Sequence, residues 1–395
     1  MDIILGIVGI AVILGLAYLF SNDKKNINFK SIGIMLALQL LITWFMFATE
    51  IGAKIINGIS AVFNKLIEFG QEGIGFVVGG FELQEGGVFF FNVLLLIVFF
   101  ATLLSVLNYL KILPTIIKWV GGLVSKVTGI PKIEAFNGVN SIFFGQSEAL
   151  LAIKAQFHHL TANRLYMVSA SAMSSVSASI VGAYIQILPA EYILVSLPLN
   201  MFGGLIIASI LAPINVPKEE DVVDVQDVST EKSVFEAMGN GALDGGKIAL
   251  IVAANLIAFI ASLELVNWLI ESVLAGVTLQ QILGYILAPL SFLMGIAPSE
   301  IIEAGSIMGT KIVTNEFVAM LEFQPLMETM SEKTIGIVSV FLTSFANFSS
   351  IGIIAGTVKG IDGEKASIVS RFGLKLLFGS ILVSILSATI AGLFL

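Results

Sequence analysis

Phe143-Phe144-Gly145-Gln146-Ser147-Glu148-Ala149-Leu150-Leu151 is the stretch that decides the fold. It is too short and too polar to cross a bilayer, which takes about 20 consecutive apolar residues as a helix, yet apolar segments bound it on both sides. That is how a re-entrant hairpin reads. Non-helical backbone at membrane depth persists only where it faces protein or a watery cavity, so the tip around Gly145 must line one. Holding a carboxylate at that depth costs about 2.5–3.5 kcal/mol on insertion scales, and the usual reason for keeping it is contact with a substrate or ion. The bland alternative leaves Glu148 in the interface beside Lys154.

The rest of the chain supplies the membrane. Of its 395 residues 57% are hydrophobic and only 12% charged, with a mean hydropathy of +0.99, whereas soluble chains carry roughly 25% charged residues. Apolar stretches recur at 3–20, 32–48, 88–107, 165–188, 193–214, 248–263, 334–358 and 372–395, about eight candidate transmembrane helices. The first has no basic residue before it and Lys24 and Lys25 after it, so it reads as a retained span rather than a cleaved signal. Lys30 joins that pair, Lys111, Lys118, Lys126 and Lys132 follow the third span, and Lys359, Lys365 and Arg371 precede the last. Those loops are expected to be cytoplasmic, which puts both termini and the acidic Glu82 and Glu85 outside. Residues 51–69 repeat apolar positions at helical spacing with Lys54, Lys65 and Glu68 among them, as a helix lying in the interface does. Residues 216–233 are rich in Asp and Glu and read as a solvated linker.

Several chemistries are excluded. With no cysteine, disulfides and thiolate sites cannot form. A net charge of -8 and a pI near 4.9 offer no basic face to a nucleic-acid backbone. The run from Gly241 to Lys247 nearly spells a phosphate-binding loop, but Ile248 stands where Ser or Thr is required. His158 and His159, beside Lys154 and Arg164, suit a solvated helix boundary better than a metal site.

Across the acidic linker the sequence weakly repeats itself. Gln146-Ser147-Glu148 is followed by the Ser-rich span 169–184, and Thr314-Asn315-Glu316 by the span 340–356, with Ser179-Ile180 and Ser350-Ile351 in corresponding places. Interrupted segments paired in this way mark a repeat-built transporter whose site lies where the repeats meet. Glu316 then makes the same argument as Glu148, a second buried glutamate at an equivalent position. Most of the serines have a bland role, allowing helices to approach closely, and Asn347 and Ser350, three apart, would share a helix face.

Gly145-Gln146-Ser147-Glu148, Asn315-Glu316-Phe317 and Ala346-Asn347-Phe348-Ser349-Ser350-Ile351-Gly352 together resemble the concentrative nucleoside transporter family, in its bacterial NupC-like branch, over essentially the full length. The resemblance implies an all-α polytopic protein of the plasma (inner) membrane with two re-entrant helical hairpins, interfacial helices and an inverted-repeat transport core. It implies a carrier rather than an enzyme, no cofactor, and a homotrimer in the lipid bilayer. Residues 1–110 would form scaffold spans and an interfacial helix, 111–215 the first repeat with its re-entrant hairpin and a broken helix, 216–247 the acidic cytoplasmic linker, 248–298 a scaffold span with an interfacial helix, and 299–395 the second repeat with its re-entrant hairpin, a second broken helix and the last span. Gln146, Ser147 and Glu148, with Ile180 packing alongside, would address a nucleobase, and Glu316, Asn347 and Ser350 the ribose hydroxyls. A coupling cation would sit by Ser141, the Phe144 carbonyl, Ser175 and Ser179. Sodium-coupled members of the family carry Asn where Ser141 stands, with Asn140 one position earlier in this chain, Thr for Ser147 and Pro for Leu150. Loss of that amide oxygen favours proton over sodium coupling, with Glu148 or Glu316 as the titrating group. Rival readings are a symporter of another polar solute, a passive channel, and a membrane-embedded enzyme using the glutamates.

Overall fold

In the computed structural model, which describes residues 2–79, 88–217, 221, 231–274 and 276–395, the regular elements are helical. Six helical segments have the length and apolarity to cross a membrane: Phe29–Ala48, Phe90–Tyr109, Ala162–Ile185, Ala190–Leu211, Val234–Glu271 and Gly373–Gly392. Asp2–Leu19 and the pair Glu332–Leu342 and Phe348–Ile361 complete the eight expected spans. Glu82, Glu85 and most of the acidic linker lie outside the described residues.

Two of the expected spans are the broken helices that the family resemblance implies. Residues 165–188 fall in the helices Ala162–Ser174 and Ala178–Ile185, which stop and restart at Ser175 and Ser177. Residues 334–358 break between Leu342 and Phe348. Hydropathy cannot see either break, because apart from Asn347 the intervening residues are small, hydroxylated or apolar. Side chains mark the restarts instead: Ser177 accepts from Ser179 N–H and Asn347 from Ser350 N–H as N-caps. Asn347 therefore caps the second half-helix rather than sharing a helical face with Ser350. The breaks lie against each other, since Phe345 N–H donates to the Ser175 carbonyl at 3.2 Å.

Each broken helix is accompanied by a hairpin, the first formed by Lys132–Phe143 and Gln146–Leu151, the second by Ile301–Val313 and Glu316–Phe323. Buried throughout most of its length, Ala190–Leu211 stands at the centre and packs on the last helix and on the first broken helix.

The helix Val234–Glu271 is longer at both ends than the expected 248–263 span, so residues 234–247 are helical rather than part of the linker. Ser233 caps it by accepting from Glu236 N–H. The near-phosphate-loop glycines are packing positions: a Cβ at Gly245 would stand 2.6 Å from Val98 Cα, and one at Gly241 2.7 Å from Thr102 Cα. Small residues one turn apart thus bring this helix onto Leu96–Tyr109. The interfacial helix runs Glu50–Val78, beyond the expected 51–69. A second amphipathic helix, Ile112–Thr128, replaces the loop expected after the third span and buries Leu113, Ile117, Gly121, Val124 and Thr128 along one face.

Candidate functional site

The hairpin tips and the helix breaks converge. At the first tip Phe144 ends one helix and Gly145 caps the next. Glycine is needed there because a Cβ would stand 2.7 Å from Glu148 Oε2. At the second tip Asn315 caps its helix by accepting from Val318 N–H at 3.0 Å. Both helix N-termini are thereby turned toward the same space.

A cavity of about 170 Å³ is lined by Gln146, Ser147, Glu148, Ile180, Glu316, Asn347 and Ser350 together. Glu316 is buried, and its carboxylate is held from two elements: Tyr184 O–H donates to Oε1 at 2.9 Å and Asn347 Nδ2 to Oε2 at 3.0 Å. Asn347 Oδ1 in turn accepts from Ser350 N–H at 3.0 Å and from the Ser349 hydroxyl at 2.7 Å. Gln146 Nε2 donates to Ser350 Oγ at 3.1 Å, and the Thr357 hydroxyl to Ser147 Oγ at 2.9 Å. Polar groups of the two halves of the chain thus meet at their tips.

Glu148 departs from expectation. It is exposed rather than buried, because it stands where the small cavity meets a larger one of about 490 Å³ whose walls include Asn108, Asn140, Phe144, Ser179 and Asp244.

Of the residues assigned to a cation, Ser179 borders both cavities and Phe144 the larger one. Ser141 and Ser175 are buried away from them. The Ser141 hydroxyl donates to the Asn137 carbonyl at 2.7 Å, and Ser179 Oγ lies 2.7 Å from Ser177 Oγ. Ser175 Oγ has no hydrogen-bond partner among the described residues.

Three features escaped sequence reading. Tyr184 closes the Ser-rich span yet reaches Glu316. Arg164, expected in a solvated interface, is buried and holds buried Glu134 with two hydrogen bonds, at 2.5 and 3.1 Å, joining the first hairpin to the first broken helix. Lys311 is fully buried. The signal for both charged groups was present, since an ionisable residue inside an apolar segment is a site hypothesis by default.

Comparison with known proteins agrees with this geometry. Residues 192–392 match the family model described as Na+ dependent nucleoside transporter C-terminus, residues 8–81 its N-terminus counterpart, and residues 90–191 the model described as Gate, nucleoside recognition. The chain is 38% identical to the Bacillus subtilis purine nucleoside transport protein NupG, covering 100% of both chains. It is 33% identical to the Helicobacter pylori nucleoside permease NupC, over 98% of this chain and 97% of that one. The structure of CNTnw in an inward-facing substrate-bound state superposes with a TM-score of 0.95 at 31% identity, covering 100% of this chain and 98% of that chain. On these matches the chain belongs to the concentrative nucleoside transporter family, in its NupC-like branch, as a multi-pass protein of the plasma membrane.

Proposed function

We propose that this chain imports nucleosides by symport with protons, the ligand being held between the two hairpin tips and the two helix breaks. The observation that carries the reading is the convergence of Glu148 and Glu316, one from each half, on one cavity. A nucleoside is neutral but rich in donors and acceptors. An amide and hydroxyl at Gln146 and Ser147, with the Glu148 carboxylate, suit a base edge, and Ile180 its apolar face. Glu316, Asn347 and Ser350 suit ribose hydroxyls, which donate to carboxylate and amide oxygens. Binding would exchange the Gln146–Ser350 hydrogen bond for bonds to the ligand. NupG's description makes purine nucleosides the first substrates to assay beside uridine.

The family models carry sodium in their names, but the residues here argue for the proton. Sodium requires several oxygen ligands, and Ser141 offers a hydroxyl where sodium-coupled members offer an amide oxygen. Transport would follow alternating access, the hairpins and broken helices moving as a unit against a scaffold that includes the long helix Val234–Glu271. Exposed apolar residues on that helix, Ile257 and Leu265 among them, suit packing in a homotrimer.

Uptake into proteoliposomes under imposed proton and sodium gradients in turn tests the proposal. Accumulation of intact nucleoside under the proton gradient is expected, and Glu316→Gln should lower it at least about tenfold while the protein stays folded. Accumulation under sodium alone would overturn the coupling assignment. Chemical conversion of the substrate, or accumulation indifferent to any gradient, would overturn symport itself.

A further inference from the structure

Lys311 is a buried lysine side chain that the site above does not use. Its Nζ donates to the Phe341 carbonyl at 2.5 Å, to Ser344 Oγ at 2.6 Å and to Ser384 Oγ at 3.3 Å, and stands 4.5 Å from the Phe341 ring centroid. Three donors thus meet three oxygens, none of them a carboxylate. Phe341 and Ser344 flank the point where the first half of the second broken helix ends at Leu342. Carbonyls at a helix C-terminus attract positive charge. The lysine therefore makes its direct contacts with the break, and none of its hydrogen bonds goes to a carboxylate.

Its register gives the placement a meaning. In each hairpin the first helix ends, one C-cap residue and one N-cap residue follow, and the second helix begins: Phe143, Phe144, Gly145 and Gln146 in the first, Val313, Thr314, Asn315 and Glu316 in the second. Aligned on these caps, Lys311 occupies the position of Ser141, and Glu316 that of Gln146 rather than of Glu148, the equivalence read from the sequence. In the broken helices Ser175 follows the last helical residue of the first and Thr343 that of the second, so the Lys311 partner Ser344 lies one residue beyond the counterpart of Ser175. Where the first repeat sets neutral oxygens at this position, with Ser175 Oγ unpartnered among the described residues, the second repeat sets an ammonium on a covalent tether.

We infer that Lys311 is a built-in cation filling, in the second repeat, the position that the family resemblance gives in the first to a mobile coupling cation. The correspondence rests on reading Ser141 and Ser175 as part of the coupling site. Because the ammonium fixes Ser344, it also fixes the break that presents Asn347 to Glu316. Removing the charge should loosen nucleoside binding from a distance. Replacing it with a neutral oxygen ligand should create a new site for a small free cation.

The experiment compares wild type, Lys311→Asn and Lys311→Met in detergent, measuring thermal unfolding and uridine binding while sodium, potassium or ammonium replaces choline at constant ionic strength. Lys311→Asn is expected to bind uridine at least about tenfold more weakly in choline and to recover both affinity and unfolding midpoint, saturably, with one of the small cations. Lys311→Met should lose affinity and recover with none of them. A structural lysine alone would not produce that difference. Should both variants fold poorly, Ser344→Ala keeps the ammonium and removes one acceptor; it should weaken uridine binding several-fold and gain no cation dependence. Wild-type affinity in Lys311→Met or in Ser344→Ala, or an Lys311→Asn variant indifferent to every cation, would overturn the inference. Failure of wild type to couple uptake to any ion gradient would instead sink the symport reading.

Discussion

At the scale of single residues, Glu316 is the anchor, and its geometry is set by neighbours from other elements. Tyr184, on the second half of the first broken helix, donates to one carboxylate oxygen and Asn347 to the other. Hydrogen bonds to carboxylates are worth about 1.5–3 kcal/mol, so Tyr184→Phe should weaken nucleoside binding about tenfold. The protein should otherwise stay folded, because the ring still packs edge-on against Phe317. Equilibrium binding to purified protein checks this, and unchanged affinity would mean that Tyr184 does not orient the carboxylate. Glu316 itself was legible in the sequence because packing gives an apolar run no reason to carry a carboxylate, whereas a substrate or ion does. Tyr184 was not, since a tyrosine ending an apolar helix looks like ordinary packing until the fold brings residues 132 positions apart into contact. Burial was misjudged for Glu148, whose exposure depends on a cavity wall assembled from distant segments such as Asn108 and Asp244.

At the scale of elements, the hairpins were readable from the residues themselves, whereas the helix breaks were expected only from the family resemblance. A polar tip interrupts hydropathy, whereas Ser175-Val176-Ser177 and Ser344-Phe345-Ala346 do not. The long helix Val234–Glu271 was underestimated for a related reason: Gly241 and Gly245 lower local hydropathy although their smallness is what packs the helix on Leu96–Tyr109. Gly245→Leu should force that pair apart and destabilise the protein by about 1–3 kcal/mol, the range for overpacked cores, visible as a lower unfolding midpoint in detergent. Gly246, with open space around it, is the control and should tolerate Ala far better. A second element-scale contact ties the start of the second hairpin to the second broken helix. Partial burial pulls Glu300 upward, but hydrogen bonds from the Thr334 hydroxyl and from Ser331 N–H and Oγ outweigh it and hold the carboxyl below its usual range. A depressed folded-state value stabilises the protein above the unfolded value of 4.5 and loses that contribution as pH falls through the folded one. The contact is solvent-screened and small. Glu300→Gln should therefore leave a shallower loss of stability below pH 4.5 than wild type in thermal unfolding across pH.

For the whole molecule, the weak repeat in the sequence becomes a statement about placement. The two halves carry the same parts in the same order, and their tips meet through Gln146 and Ser350 and through Tyr184 and Glu316. Fold class was legible because composition and the spacing of apolar runs together demand a helical membrane protein. Which side chains meet in the middle was not, because no local pattern says that residue 146 lies beside residue 350. The central claim is that the second half holds the sugar while the first half holds the base. It is tested most directly by measuring the affinities of uridine and 2′,3′-dideoxyuridine for wild type and for Glu316→Gln, side by side. In wild type, loss of the ribose hydroxyls should cost about tenfold or more, since it leaves polar groups of the site unpaired. In Glu316→Gln the gap between the two ligands should shrink to about threefold or less. A gap as wide in the variant as in wild type would contradict the placement of the ribose at Glu316.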